Sequence, residues 1–209
     1  MLSARSLLVF SWFIKIMISE LIVLIAVIIQ LTGVSFYIKD MFRGTTKPNL
    51  VTWFVWALAP MIGSWLAWKA GARLSILPVF MAGFNPVLVI IVAILIKRGY
   101  WKITKLDIVC GILAVFALVL WVITRNLSIS VLFAILSDAL AAVPTLIKSW
   151  KFPETETYTA YLGGIIANIL GLLIIKNWIF PIYSLGIYFI LMNTLIISFI
   201  CRKKLAIFK

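Results

Sequence analysis

The chain contains no histidine, and that absence removes two chemistries at once. Without imidazole there is neither an HExxH zinc site nor a nucleophile activated by a histidine base. Only two cysteines, Cys110 and Cys201, occur in 209 residues, both near the ends of apolar stretches, so a disulfide framework is not indicated. Acidic residues are almost as scarce, six against nineteen basic, and charged residues of all kinds make up 12% of the chain. Neither a GxGxxG nor a GxxxxGK(S/T) phosphate loop is present. Glu154 and Glu156 are close in sequence, but no nucleophile or metal-ligand set accompanies them, so they read as a solvated, partly ion-paired loop with Lys148 and Lys151. No covalent chemistry, cofactor or metal is expected.

What the chain has in excess is apolar surface. Hydrophobic residues make up 65% of it and the mean hydropathy is +1.19. A water-soluble domain of this length needs far more polar surface, so the excess must face lipid. The net charge of +13 would suggest nucleic acid in a soluble protein. Here the cations sit mainly in short connections between apolar runs, where they set orientation and meet anionic headgroups. Nucleic-acid binding is not expected.

The organising stretch is Asp107–Thr124, which carries no charge from Ile108 onward and is flanked by Lys105 and Arg125. About 18 helical residues at ~1.5 Å each reach ~27 Å, close to the thickness of a bilayer core. Three comparable runs precede it, about Leu21–Ile38, Leu50–Trp68 and Leu74–Ile96. Three follow, about Leu127–Ile147, Tyr158–Ile175 and Trp178–Cys201. The expected fold is all-α, with seven transmembrane helices. An odd helix between two sets of three leaves the sets facing the same way, so they can be parallel repeats in a 3+1+3 arrangement. The divisions are a first three-helix bundle over 19–97, a linker helix over 98–126 and a second bundle over 127–201, followed by a basic tail over 202–209. Residues 1–18 are ambiguous: an interfacial segment, the start of the first helix, a leader, or sequence upstream of a start at Met17.

Thirteen of the nineteen basic residues fall in the loops after spans 1, 3 and 5 and in the tail. The positive-inside rule therefore places the C-terminus in the cytoplasm and the N-terminus outside, in a multi-pass protein of the cell membrane. Tyr100, Trp101, Trp150, Tyr158 and Trp178 fall at span ends, as interfacial aromatics do.

The halves echo one another. Counted from Lys39 and Lys148, Trp53 pairs with Tyr161, Gly63 with Gly171 and Asn85 with Asn193, all with one single-residue offset. The 3+1+3 pattern resembles the SWEET sugar transporters and the wider PQ-loop family. SFYIKDMFRGTTKPNLVTWFVWAL resembles the family's first helix end, basic loop and second helix, and AAVPTLIKSWKFPETETYTAYL resembles the same region of the second bundle. Pro144-Thr145 stands where the family has Pro-Gln, and the first half has Ser35-Phe36 there.

Polar residues at membrane depth supply the candidate site. Asn85 and Asn193 lie well inside spans 3 and 7, where an amide facing lipid is costly. The resemblance implies a pair at a central cavity that binds solute; interhelical hydrogen bonding is the other reading. Asp138 is the only acidic residue deep in any span. By the resemblance it is a proton-coupling group, and otherwise a buried carboxyl tying helices together. Pro60, Pro86 and Pro144 interrupt spans 2, 3 and 5, releasing the carbonyls of Trp56, Ala82 and Leu140. Each is a hinge or a static kink, with Pro144 the first choice as hinge. Trp56 and Trp65 are the candidate solute-stacking rings, although span 6 offers no matching tryptophan.

The expectation is a transporter for a small polar solute, sugar-like by the resemblance, working by alternating access and proton-linked through Asp138. The alternative is a non-transporting receptor or scaffold of PQ-loop type. Its partners are then the solute and the bilayer, with a homo-oligomer left open.

Overall fold

The computed structural model describes residues 4–97, 103–124 and 126–206, and every regular element in them is helical. Arg98, Tyr100, Trp101, Lys102, Arg125 and Lys209 lie outside the described residues. Among the described residues there are seven α-helices: α1 (Ala4–Phe42), α2 (Leu50–Lys69), α3 (Leu77–Ile96), α4 (Lys105–Ile123), α5 (Leu127–Lys151), α6 (Thr159–Leu173) and α7 (Phe180–Ala206). Short 3-10 turns at Leu74–Ile76 and Pro153–Thr155 lead into α3 and out of α5.

The helix starts are written locally. Asn49 accepts from the backbone N–H groups of Val51 and Thr52 at 3.1 and 3.2 Å, capping α2. Asn126 caps α5 in the same way, accepting from Ser128 and Ile129. At the head of α4, Thr104 donates through both its backbone N–H and its hydroxyl to the Asp107 carboxylate, and the Asp107 N–H donates back to the Thr104 hydroxyl at 3.4 Å, a reciprocal capping pair. Asn49 also donates its amide to Asp107 at 2.5 Å, which ties the start of α4 to the start of α2. Positive-φ Gly44 and Gly71 sit in the turns after α1 and α2, where a left-handed backbone suits glycine.

Among the described residues five segments are long and apolar enough to cross a membrane: Met17–Phe42, Leu50–Lys69, Leu74–Ile96, Leu127–Lys151 and Phe180–Arg202. The protein is membrane-embedded. Helix α4 has 19 residues, whereas α6 has only 15, shorter than the apolar run that contains it. Ile174 and Ile175 leave the helix in a turn, their N–H groups donating to Gly171 and Leu172.

The outer face is apolar, and the interior sets polar side chains among an apolar core. Gln30, Thr52, Ser137, Asp138, Thr145 and Asn168 are buried, while Leu24, Ile28, Ile94, Leu95, Ile112 and Leu191 face outward. An interior of this kind suits a solvent that is itself hydrocarbon.

Helix α3 packs on both α1 and α2, and α7 packs on both α5 and α6. Helix α1 lies against α6, and α2 against α5, while α4 rests on α5 and α2. Exchanging α1 with α5, α2 with α6 and α3 with α7 leaves the neighbour relations among these six unchanged, including the slighter α2–α7 and α3–α6 contacts. The echoed glycines follow this exchange. A Cβ on Gly63 would meet Leu185 near the start of α7, and one on Gly171 would meet Pro78 near the start of α3.

Candidate functional site

A cavity of about 70 Å³ sits where six helices converge. Its walls are Gln30 and Val34 from α1, Trp53, Trp56 and Pro60 from α2, and Ala82, Asn85 and Pro86 from α3. From the other half come Asp138 of α5, Ala160, Tyr161 and Gly164 of α6, and Phe189, Met192 and Asn193 of α7. Asn85, Asn193 and Asp138, selected from the sequence for their depth, therefore border one space. Trp56, Pro60 and Pro86 border it too.

The polar wall is specific. Gln30 donates to the Pro78 carbonyl at 2.8 Å and accepts from the Asn85 amide at 3.2 Å, which fixes the orientation of both amides. Asn85 Oδ1 is left buried without a hydrogen-bond partner. Asp138, 2% exposed, accepts from the Tyr188 hydroxyl at 2.7 Å on Oδ2, while its Oδ1 is buried and unpartnered. Opposite, a Cβ added at Gly164 would lie 2.6 Å from the Asn193 amide nitrogen, so glycine is what lets that amide approach α6.

One end of the cavity is closed by rings. Tyr37 lies 4.9 Å from Trp53, and Trp53 lies 5.6 Å from Trp56, between ring centroids. Tyr161 meets Tyr37 and Trp56 edge-on, at 6.4 and 6.2 Å. Beneath the rings is Glu156. It accepts from the Tyr37 and Tyr161 hydroxyls at 3.0 and 3.3 Å and from the Lys148 ammonium at 2.6 Å. Lys148 also donates to the Lys47 carbonyl, in the loop between α1 and α2. The Thr46 and Thr157 hydroxyls bond to each other, and Thr157 donates to Asp40. The two loops at this end are stitched together. This corrects the expectation of a solvated acidic loop: Glu156 is buried because an amine and two phenols satisfy it.

Toward the opposite end Phe189 of the wall packs in an apolar cluster with Leu66, Val79, Val131 and Leu185. At that end of the molecule lies a wider hollow of about 890 Å³, bordered by Glu20, Arg73 and Lys176 among others.

Two expected residues fall elsewhere. Trp65 is 52% exposed on the outer face, 5.3 Å from Trp68 and beneath the Lys69 ammonium. Nine positions along a helix make about two and a half revolutions, a net half turn, so Trp65 must face away from the side that carries Trp56. Pro144 is buried in α5 but does not border the cavity. It stands in the α2–α5 contact, where Thr52 donates to the Ala141 carbonyl at 2.7 Å and Thr145 donates to Thr52 at 3.1 Å. Gln30, Trp53, Tyr161 and Tyr188 were not anticipated. Gln30 is the sole amide in its span and meets the criterion that selected Asn85. No local signal marks the rings, which are ordinary helix residues until the fold brings them together.

Comparison with family models, curated proteins and solved structures returns no match for this chain.

Proposed function

We propose that the protein carries a small polar solute across the cell membrane by alternating access between two parallel three-helix bundles, α1–α3 and α5–α7, joined by α4. The convergence of Asn85, Asn193 and Asp138 on one buried cavity between the halves carries this reading. The exchange symmetry of the helix neighbours supports the 3+1+3 arrangement, and the resemblance to SWEET and PQ-loop proteins points the same way. In this reading the ring-and-ion-pair end faces the cytoplasm, since α1 and α5 end there in basic loops. In this reading the rings form the closure on one side and the aliphatic packing the closure on the other. Transport then consists of parting one closure while the other holds.

The test is flux. Protein reconstituted in liposomes is given radiolabelled glucose or radiolabelled methylammonium, with protein-free vesicles as the baseline. Saturable uptake of one of them is expected, reduced on the order of tenfold in Asn85→Ala and Asn193→Ala, each of which loses a solute hydrogen bond. Uptake of neither solute above baseline by folded protein rejects the carrier and favours a receptor or scaffold. Asp138 is the proton-linked group of this reading, so Asp138→Asn should flatten the pH dependence of whatever uptake is seen.

A further inference from the structure

The cavity is rich in acceptors and poor in donors. Two residues of its wall each keep a buried side-chain oxygen without a partner, Asp138 Oδ1 and Asn85 Oδ1. Pro60 and Pro86, both on the wall, deprive the Trp56 and Ala82 carbonyls of their helical N–H, and those two residues border the cavity as well. Against these stand Trp53 Nε1, buried without a partner, and the Asn193 amide, which brings both a donor and an acceptor to the wall. Unfilled acceptors in a low-dielectric interior are costly, and a ligand that donates to several of them at once relieves the cost. The single charge on the wall is the Asp138 carboxyl, and the described lining holds no lysine or arginine. The remaining wall includes the rings of Trp53, Trp56 and Tyr161, whose faces attract cations.

We propose that the cavity binds a small monovalent organic cation with a primary ammonium group, held by Asp138 and Asn85 against the Trp53–Trp56–Tyr161 rings. The proposal rests on the carrier reading and narrows its solute class. Three N–H donors match the excess of acceptors better than a neutral polyol, which brings acceptors of its own. A space of about 70 Å³ is well below the ~300–1,000 Å³ of pockets that take drug-sized ligands, and it suits a compact head group. An amino acid fits less well, because its carboxylate would find no counter-charge on the wall. A proton on Asp138 Oδ1 and an ammonium against the same oxygen exclude one another, so the proton-linked role and the binding role become one exchange. Tyr188, bonded to the other oxygen, and Tyr161 are the other titratable side chains at this carboxyl or on the described wall.

The experiment is equilibrium binding of radiolabelled methylammonium to the full chain in detergent, challenged with unlabelled methylammonium, sodium or glucose. One saturable site per chain is expected, displaced by methylammonium and at least about tenfold less sensitive to glucose or sodium. Asp138→Asn should weaken binding by roughly tenfold or more, the scale of one charge-assisted hydrogen bond. Asn85→Leu removes the second free oxygen without changing charge and should weaken it several-fold, which keeps the test decisive should Asp138→Asn fail to fold. Trp65→Phe, on the outer face, should bind as the parent does. Absence of saturable binding by folded protein, displacement by sodium or glucose as good as by methylammonium, or full affinity in the folded cavity variants would overturn the proposal. Binding without flux leaves the cation site standing and removes the carrier; glucose flux indifferent to methylammonium does the reverse.

Discussion

At Glu156 a carboxylate is held away from water by one amine and two phenols, contributed from positions as far as 119 residues away in the chain. Removing one member of such a set leaves an uncompensated buried charge, whereas removing both charges lifts the desolvation cost as well. Lys148→Met should therefore cost about 3–5 kcal/mol, and the double variant Lys148→Met/Glu156→Met clearly less. Apparent melting temperatures in detergent check this; a double variant as unstable as the sum of the singles would show that the pair is not coupled. The same residue shows where sequence reasoning stops. Asn85 and Asn193 were legible because an amide at membrane depth has few tolerable environments. Glu156 was not, because a carboxylate in a loop reads as wet until the fold supplies Tyr37 and Tyr161. Trp65 shows the reverse: helical phase alone, counted from Trp56, places it on the outer face.

For the helices, the prolines were visible in the sequence but their surroundings were not. Pro60 and Pro86 border the cavity, while Pro144 interrupts α5 beside two threonines that link it to α2. If α5 bends there during transport, Pro144→Ala restores a helical hydrogen bond and stiffens it. Methylammonium affinity should stay within about twofold, since no wall residue changes, while the rate of uptake falls several-fold. Equal losses in affinity and rate would mean that the proline shapes the cavity rather than the motion. Helix limits were less legible than helix existence. The run Tyr158–Ile175 is apolar throughout, yet α6 covers only Thr159–Leu173, because hydropathy marks what faces lipid and not where backbone hydrogen bonding ends.

Across the whole molecule, the constant offset between the halves had a spatial counterpart. Trp53 and Tyr161 meet in the same ring layer, Gly63 and Gly171 each face the opposite half's third helix, and Asn85 and Asn193 share the cavity. What the offset did not carry is the difference between the halves. Asp138 has Ile29 at its aligned position, with Gln30 beside it, and Trp56 faces Gly164 across the cavity in the same register. The charge and the larger ring thus come from opposite halves. Gly164→Ala would thrust a methyl at the Asn193 amide, and methylammonium binding should weaken at least about threefold as that amide is displaced. An unaltered affinity would mean that Asn193 does not hold the ligand.

The shortness of α6 has a consequence for the surrounding lipid. Fifteen residues rise only ~22 Å, against ~30 Å for the 20 residues of α2, its counterpart under the exchange of halves. Leu162, Ile166, Ile169 and Leu173 turn outward along it, an apolar face for lipid carried on a shorter helix than on the other flank. A bilayer matched to α6 would be thinner there than beside α2, and any mismatch carries a cost that grows with each ångström. Vesicles of shorter-chain lipid should therefore preserve the fold to higher temperature than vesicles of longer-chain lipid.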